Sequence, residues 1–193
     1  MIEQLENLDA EFLLWINANN SNLMDVLMWQ FSKILPTIIL IFIVAFFLYK
    51  KIHLKYAATY LLGCALVFVI ADGSSNLVKH SVKRYRPTHN IILKEKIHKV
   101  NNYEGGKYGF FSGHSANTFG VTFFTFMFAT IIHTKWRRLF FIYPIIVVYS
   151  RMYLGVHYPS DILVGMIVGL IAALIVNYVI RNYFLKGSVN ARA

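Results

Sequence analysis

Apolar residues recur every three or four positions at the start of the chain and then close up into long runs. Over residues 2–16, Leu5, Leu8, Phe12 and Trp15 share one helical face, while Glu3, Glu6, Asp9 and Glu11 fall elsewhere. This pattern predicts an amphipathic helix lying in the membrane interface rather than crossing it. Five later segments, about 23–49, 56–78, 115–133, 136–153 and 162–180, read as bilayer crossings. The last is the cleanest and carries no charge. Lys33 and Pro36 interrupt the first, which predicts a kink or a later start, and Pro144 interrupts the fourth. The expected fold is an all-α integral membrane protein of about five to six transmembrane helices plus the N-terminal interfacial helix. No repeat, low-complexity tract or linker divides residues 1–193, so one domain is expected.

Composition agrees with the pattern. Of 193 residues 57% are hydrophobic, with a mean hydropathy of +0.52, too apolar for an ordinary soluble domain of this size. The single cysteine, Cys64, lies in an apolar run and reads as packing, able to form neither an internal disulfide nor a thiolate cluster. The opening stretch MIEQLENLDAEF is acidic, unlike the basic n-region of a cleavable signal, so insertion is expected to depend on the spans.

The formal net charge of +10 is gathered in short stretches between apolar runs. That placement argues against a nucleic-acid partner and for anionic lipid or phosphate. Five crossings would put KKIHLK, HTKWRR and the tail RNYFLKG on one side, which the positive-inside rule makes cytoplasmic. The connector 79–107 is also basic, so charge alone nearly balances. The acidic N-terminal segment on the outer side, and a second use for the connector's cations, tilt the assignment.

That second use emerges from three polar stretches that the five-span topology brings to one membrane face: KHSVKRYRP, FSGH and SRMYLGVHYPSD. A phosphoryl group needs fixed cations and backbone N–H donors where water is restricted. Lys79, Arg86 and Arg151 supply cations, the arginines as planar forks and the lysine as a point charge. Ser112 and Gly113 precede the third span, where Ser112 can cap a helix and Gly113 allows close approach of backbone to an anion. Pro159 predicts that the last helix starts there, with Asp161 in its first turn and His157 just outside it. A carboxylate at Asp161 can fix one nitrogen of His157 and leave the other as a nucleophile, and His114 can protonate a leaving oxygen.

The spacing Lys79, six residues, Arg86-Pro87, then Ser112-Gly113-His114, then Ser150-Arg151, five residues, His157, three residues, Asp161 resembles the tripartite signature of the type 2 phosphatidic acid phosphatases. That superfamily includes the vanadium haloperoxidases, a reading disfavoured here because those enzymes are soluble. The resemblance covers residues 79–161. It implies a phosphohistidine on His157, supported by Asp161, with His114 as general acid. It further implies a phosphate cradle of Lys79, Arg86, Arg151, Ser112 and Gly113, with no metal and no cofactor. Arg84 stands where many members carry an additional arginine. Phe111 departs from the usual proline before Ser-Gly-His, which bears on the stiffness of that turn.

The expected partners are the lipid bilayer and a membrane lipid phosphate, with no nucleic acid. The resemblance implies a bacterial inner-membrane location with the site facing outward. Undecaprenyl pyrophosphate is the expected substrate, with lipid A phosphate and phosphatidylglycerophosphate or phosphatidate as rivals. The non-enzymatic alternative is a membrane protein that merely holds anionic lipid. His53, His80, His89, His98 and His133 match no catalytic position, Lys33 is expected to snorkel, and Asp72, one turn from Asn76 and off the catalytic set, reads as a functional acid, a buried partner for Lys79 or a structural hydrogen bond. The aromatic residues of NNYEGGKYGFF suit either an interfacial belt or a lipid entry path.

Overall fold

In a computed structural model that describes residues 2–185, the chain is nearly all helical. The helices are α1 (Ile2–Ala18), α2 (Asn22–Phe31), α3 (Leu35–Lys51), α4 (Leu54–Val82), α5 (Gly113–Phe128), α6 (Thr134–Arg138), α7 (Ile142–Tyr153) and α8 (Pro159–Val179). A wider π turn, Ile180–Phe184, extends α8. Among the described residues there is no strand, only an isolated antiparallel bridge between Tyr85 and Tyr108. Part of the RNYFLKG tail lies outside the described residues.

Small residues set the centre of the bundle. On α8, Gly165 and Gly169 face α5, and a Cβ on Gly165 would stand 2.6 Å from the Ser112 carbonyl oxygen. A Cβ on Gly169 would collide with the Ala116 carbonyl, so only glycine admits this approach. The polar residues Thr118, Thr122 and Thr125 of α5 are consequently buried among other helices. The outer faces are apolar instead: Phe42, Phe46, Leu163, Ile167 and Ile171 all point outward. Cys64 is buried and unpaired, as its apolar setting predicts.

The span pattern differs from the sequence expectation. α4 and α8 with its extension, 29 and 26 residues at mean hydropathies of 1.8 and 2.6, are long and apolar enough to cross a membrane. The first expected span is a pair, α2 and α3, bent by 54° across the break that holds Lys33. α5 has 16 residues and α7 has 12, against about 20 for a bilayer crossing. The third apolar run ends as helix at Phe128, and the fourth is divided into α6, a 3₁₀ turn and α7. Length and composition therefore support two spans, or three with the bent pair.

α1 forms where the periodicity placed it. Leu5, Leu8, Phe12 and Trp15 are exposed, while Leu13, Ile16 and Asn17 are buried against the protein. Asn17 docks α1 on the connector and on α7, donating to the Tyr153 and His98 carbonyls at 2.7 and 3.0 Å. Its side-chain Oδ1 accepts from the His98 backbone N–H at 2.8 Å. Asp25 of α2 then accepts from the His98 ring at 3.0 Å. The long connector is thus tied down beside the ends of α4, α5, α7 and α8.

Candidate active site

All three polar stretches meet at that end of the bundle. Ser112 caps α5, its hydroxyl accepting from the Ser115 N–H at 3.3 Å, and its own N–H donates to the Asp161 carbonyl at 3.0 Å. The Ser115 hydroxyl donates to the Ile162 carbonyl at 2.8 Å, which fixes the start of α5 against the start of α8. Asp161 caps α8 by accepting from the Tyr158 N–H at 3.0 Å, with Pro159 at the first helical position. Arg84 and Arg86 flank the bridging residue Tyr85, and the N–H groups of Arg86 and Gly109 pair with the Lys107 and Arg84 carbonyls at 3.1 and 2.9 Å. Alternate residues of an extended segment share a face, which sends both guanidiniums inward while Tyr85 is exposed.

His157 is buried, its Nδ1 lies 3.4 Å from Asp161 Oδ2, and the ring also bonds the Gly109 backbone. Nδ1 is therefore the protonated nitrogen, and Nε2 keeps its lone pair. Burial, followed by the charges of Arg86, Arg151 and Lys79, holds the His157 imidazole well below its usual value. The ring is neutral at neutral pH, as a nucleophile requires. His114 is anchored by Nε2, which donates to the Ser32 carbonyl at 3.1 Å in the break between α2 and α3. The two imidazoles lie within electrostatic reach of one another.

The cations converge as the spacing predicts. Arg151 and Arg86 are 2% and 8% exposed, and Arg86 Nη1 and Arg151 Nε are buried without a hydrogen-bond partner. Burial and the neighbouring Arg151 charge push the Arg86 guanidinium down to about 10. A Cβ placed on Gly113 would stand 3.5 Å from Lys79 Nζ, which puts the lysine beside the N-terminus of α5. Buried like charges with unmet N–H donors are costly by themselves, and a tetrahedral anion relieves both penalties. The arrangement can bind a phosphoryl group and place an unprotonated imidazole nitrogen beside it.

A family model described as the PAP2 superfamily matches residues 53–184. The chain belongs to this superfamily. PAP2 relatives include the lipid A 4'-phosphatase of Bacteroides thetaiotaomicron, 31% identical over 88% of this chain and 75% of that protein. The lipid A 4'-phosphatase of Porphyromonas gingivalis is 32% identical over 88% of this chain and 72% of its own. Among solved structures, the PAP2-type phosphatidylglycerolphosphate phosphatase of Bacillus subtilis shares the fold. Its TM-score is 0.67 at 19% identity, covering 93% of this chain and 88% of that one. The protein is accordingly a membrane phosphatase, a phosphoric ester hydrolase, as the motif resemblance implied.

Sequence reasoning missed several members of this PAP2 site. Arg84, noted only as an additional arginine, donates to Asp161 Oδ1 at 2.8 Å and to the Ser160 hydroxyl at 2.7 Å. Asp9 and Ser32 come from α1 and the end of α2, outside the matched residues 53–184. Tyr103 accepts from Arg151 Nη2 at 3.2 Å. Burial alone would raise the Tyr103 phenol, but the Arg151 charge and hydrogen bond, with Arg86, hold it below its ordinary value. Tyr103 also belongs to the aromatic segment whose role the sequence left open, and its ring meets Trp29 edge-on at 5.3 Å. Periodicity placed Asp9 off the apolar face and thus among solvated charges, so no local signal marked it.

Proposed function

We propose that the protein dephosphorylates a lipid A-type headgroup through a phosphohistidine on His157. Nε2 of His157 attacks phosphorus, the bond from phosphorus to the ester oxygen breaks, and His114, protonated on both nitrogens with Nε2 held by the Ser32 carbonyl, gives that oxygen its Nδ1 proton. Water then attacks phosphorus, His114 takes the proton from water, and the P–N bond breaks to release inorganic phosphate and neutral His157. Lys79, Arg86 and Arg151, with the Ser112 hydroxyl and the Gly113 N–H, balance the charge on the equatorial oxygens. The observation that carries this reading is the environment of His157: Asp161 on Nδ1, with the charges of Arg86, Arg151 and Lys79 acting on the same ring.

The substrate follows the relatives. Sequence reasoning led to undecaprenyl pyrophosphate, with lipid A phosphate as an alternative; the two lipid A 4'-phosphatase relatives favour the alternative. The basic stretches KKIHLK and HTKWRR sit at the start of α4 and beyond the end of α5, away from the site. Their charge supports an inner-membrane orientation with the site facing outward.

Phosphate release by the purified protein is measured on lipid A, undecaprenyl pyrophosphate, phosphatidate and phosphatidylglycerophosphate, each with chelator and with orthovanadate. Lipid A is expected to turn over fastest, unaffected by chelator and inhibited by vanadate. Preference for the pyrophosphate would return the first assignment. Activity abolished by chelator and restored by a divalent ion would overturn the mechanism.

A further inference from the structure

Asp161 orients the nucleophile, but its own position depends on residues that the motif does not include. The carboxylate is fully buried, and apart from the Tyr158 N–H and the His157 ring its partner is Arg84. A buried carboxylate needs such a cation, and the cation must itself be held. Arg84 lies with its guanidinium 4.1 Å from the centre of the Tyr158 ring and divides its two Nη groups between two acids. Nη1 donates to Asp161, and Nη2 donates to Asp9 Oδ2 at 2.8 Å. Asp9 also accepts from the Ser160 N–H at 3.0 Å and from the Ser160 hydroxyl. That N–H is one of the donors at the start of α8 that the helix cannot satisfy itself.

We propose that Asp9 is a positioning residue for the nucleophile. From α1 it fixes both Arg84 and the first turn of α8, so that Asp161 keeps one oxygen for Arg84 and the other for His157. Without it, Arg84 Nη2 and the Ser160 N–H lose an acceptor at once. The 3.4 Å contact between His157 and Asp161 is already long, so a small shift of that turn releases the imidazole. The fork geometry of arginine makes the link specific, because one guanidinium spans two carboxylates at fixed separation. Asp9 lies outside residues 53–184, so this support comes from beyond the part of the chain that the family model matches.

The inference rests on His157 being the nucleophile, and the experiment separates the two. The full chain in detergent micelles is assayed for phosphate release from lipid A as Asp9→Asn, Asp9→Ala, Asp9→Glu, Arg84→Ala, Asp9→Ala with Arg84→Ala, and His157→Ala. Amide exchange at residues 160–162 is followed in parallel. Asp9→Asn and Asp9→Ala are expected to lower kcat about 10-fold or more with KM within about twofold, and Asp9→Glu to recover part of the loss. The double variant should fall within about threefold of Arg84→Ala, because both substitutions break one chain of contacts. Exchange at residues 160–162 should quicken while that of the α4–α5 core does not. Wild-type kcat and unchanged exchange in Asp9→Asn, or losses that multiply in the double variant, would overturn the proposal. An active His157→Ala would overturn the mechanism instead, and the exchange arm decides the role of Asp9 even if lipid A is not the substrate.

Discussion

Where α4 begins and α5 ends, Tyr60, Phe124 and Phe128 pack ring against ring; where α4 ends and α5 begins, three cations crowd an imidazole. In the first region the Tyr60 and Phe124 rings lie 6.0 Å apart and nearly parallel, and the Tyr60 hydroxyl bonds Thr125 Oγ1 at 2.9 Å. A Cβ on Gly63 would enter the Phe124 ring, so helix and ring are in close contact. Arg181 supports this end conventionally, donating to the Met127 carbonyl at 2.8 Å near the C-terminus of α5. In the second region, Arg86 and Arg151 keep buried N–H groups without partners. One end of the bundle is arranged for packing, while the other holds buried charge and unmet donors.

Substitutions should separate the two ends cleanly. The largest effect is expected from His157→Ala, which should cut kcat by at least about 10³-fold while the thermal unfolding temperature in detergent holds or rises. A folded variant with normal phosphate release would break the contrast. Phe124→Ala should do the reverse, destabilising by about 3–5 kcal/mol through a buried cavity with kcat per folded molecule unchanged, as denaturation and active-fraction titration would show.

Arg151→Ala should cost about 10²-fold in kcat/KM, the scale for removing one charge-stabilising donor. It also tests the titration of the nucleophile. The His157 value is depressed, so in the folded enzyme the ring stays neutral below its usual value near 6.5. The acid limb of kcat/KM should therefore lie below that pH in the wild type. Removing the Arg151 cation lets the imidazole accept a proton more readily and should move the limb upward. The linked stability has the same sign: between the depressed folded value and 6.5 the unfolded chain binds more protons, so stability falls as the pH drops through that window. A limb unmoved by Arg151→Ala would show that another group controls it. The smallest effect belongs to Tyr60→Phe, which loses one hydrogen bond and should cost about 1 kcal/mol with no change in activity.

Much of the candidate site was legible before any coordinates. Ser112 as cap, Pro159 as first helical residue and the four-residue step from His157 to Asp161 are properties of neighbours, and the structure retains all three. The same holds for the outward stripe of α1. Asp9 illustrates the limit. Its place off the apolar face was read correctly, yet Asp9 is pressed against Ser160 and Arg84 rather than water. The short α5 is a second case, because its apolar run to residue 133 concealed a helix that stops at Phe128.

The sequence by itself determined that the chain is helical, the outward stripe of α1, the family and the candidate anion-binding residues. These depend on spacing within one turn or on runs of like residues, both of which are local. Only the tertiary structure decided that Arg84 would bridge Asp161 and Asp9, partners 77 and 75 positions away, and that the Ser32 carbonyl would anchor His114 across 82. Contacts of that range depend on how whole helices pack. Here the approach of α8 to α5 at Gly165 and Gly169 sets the relative positions of the groups on both.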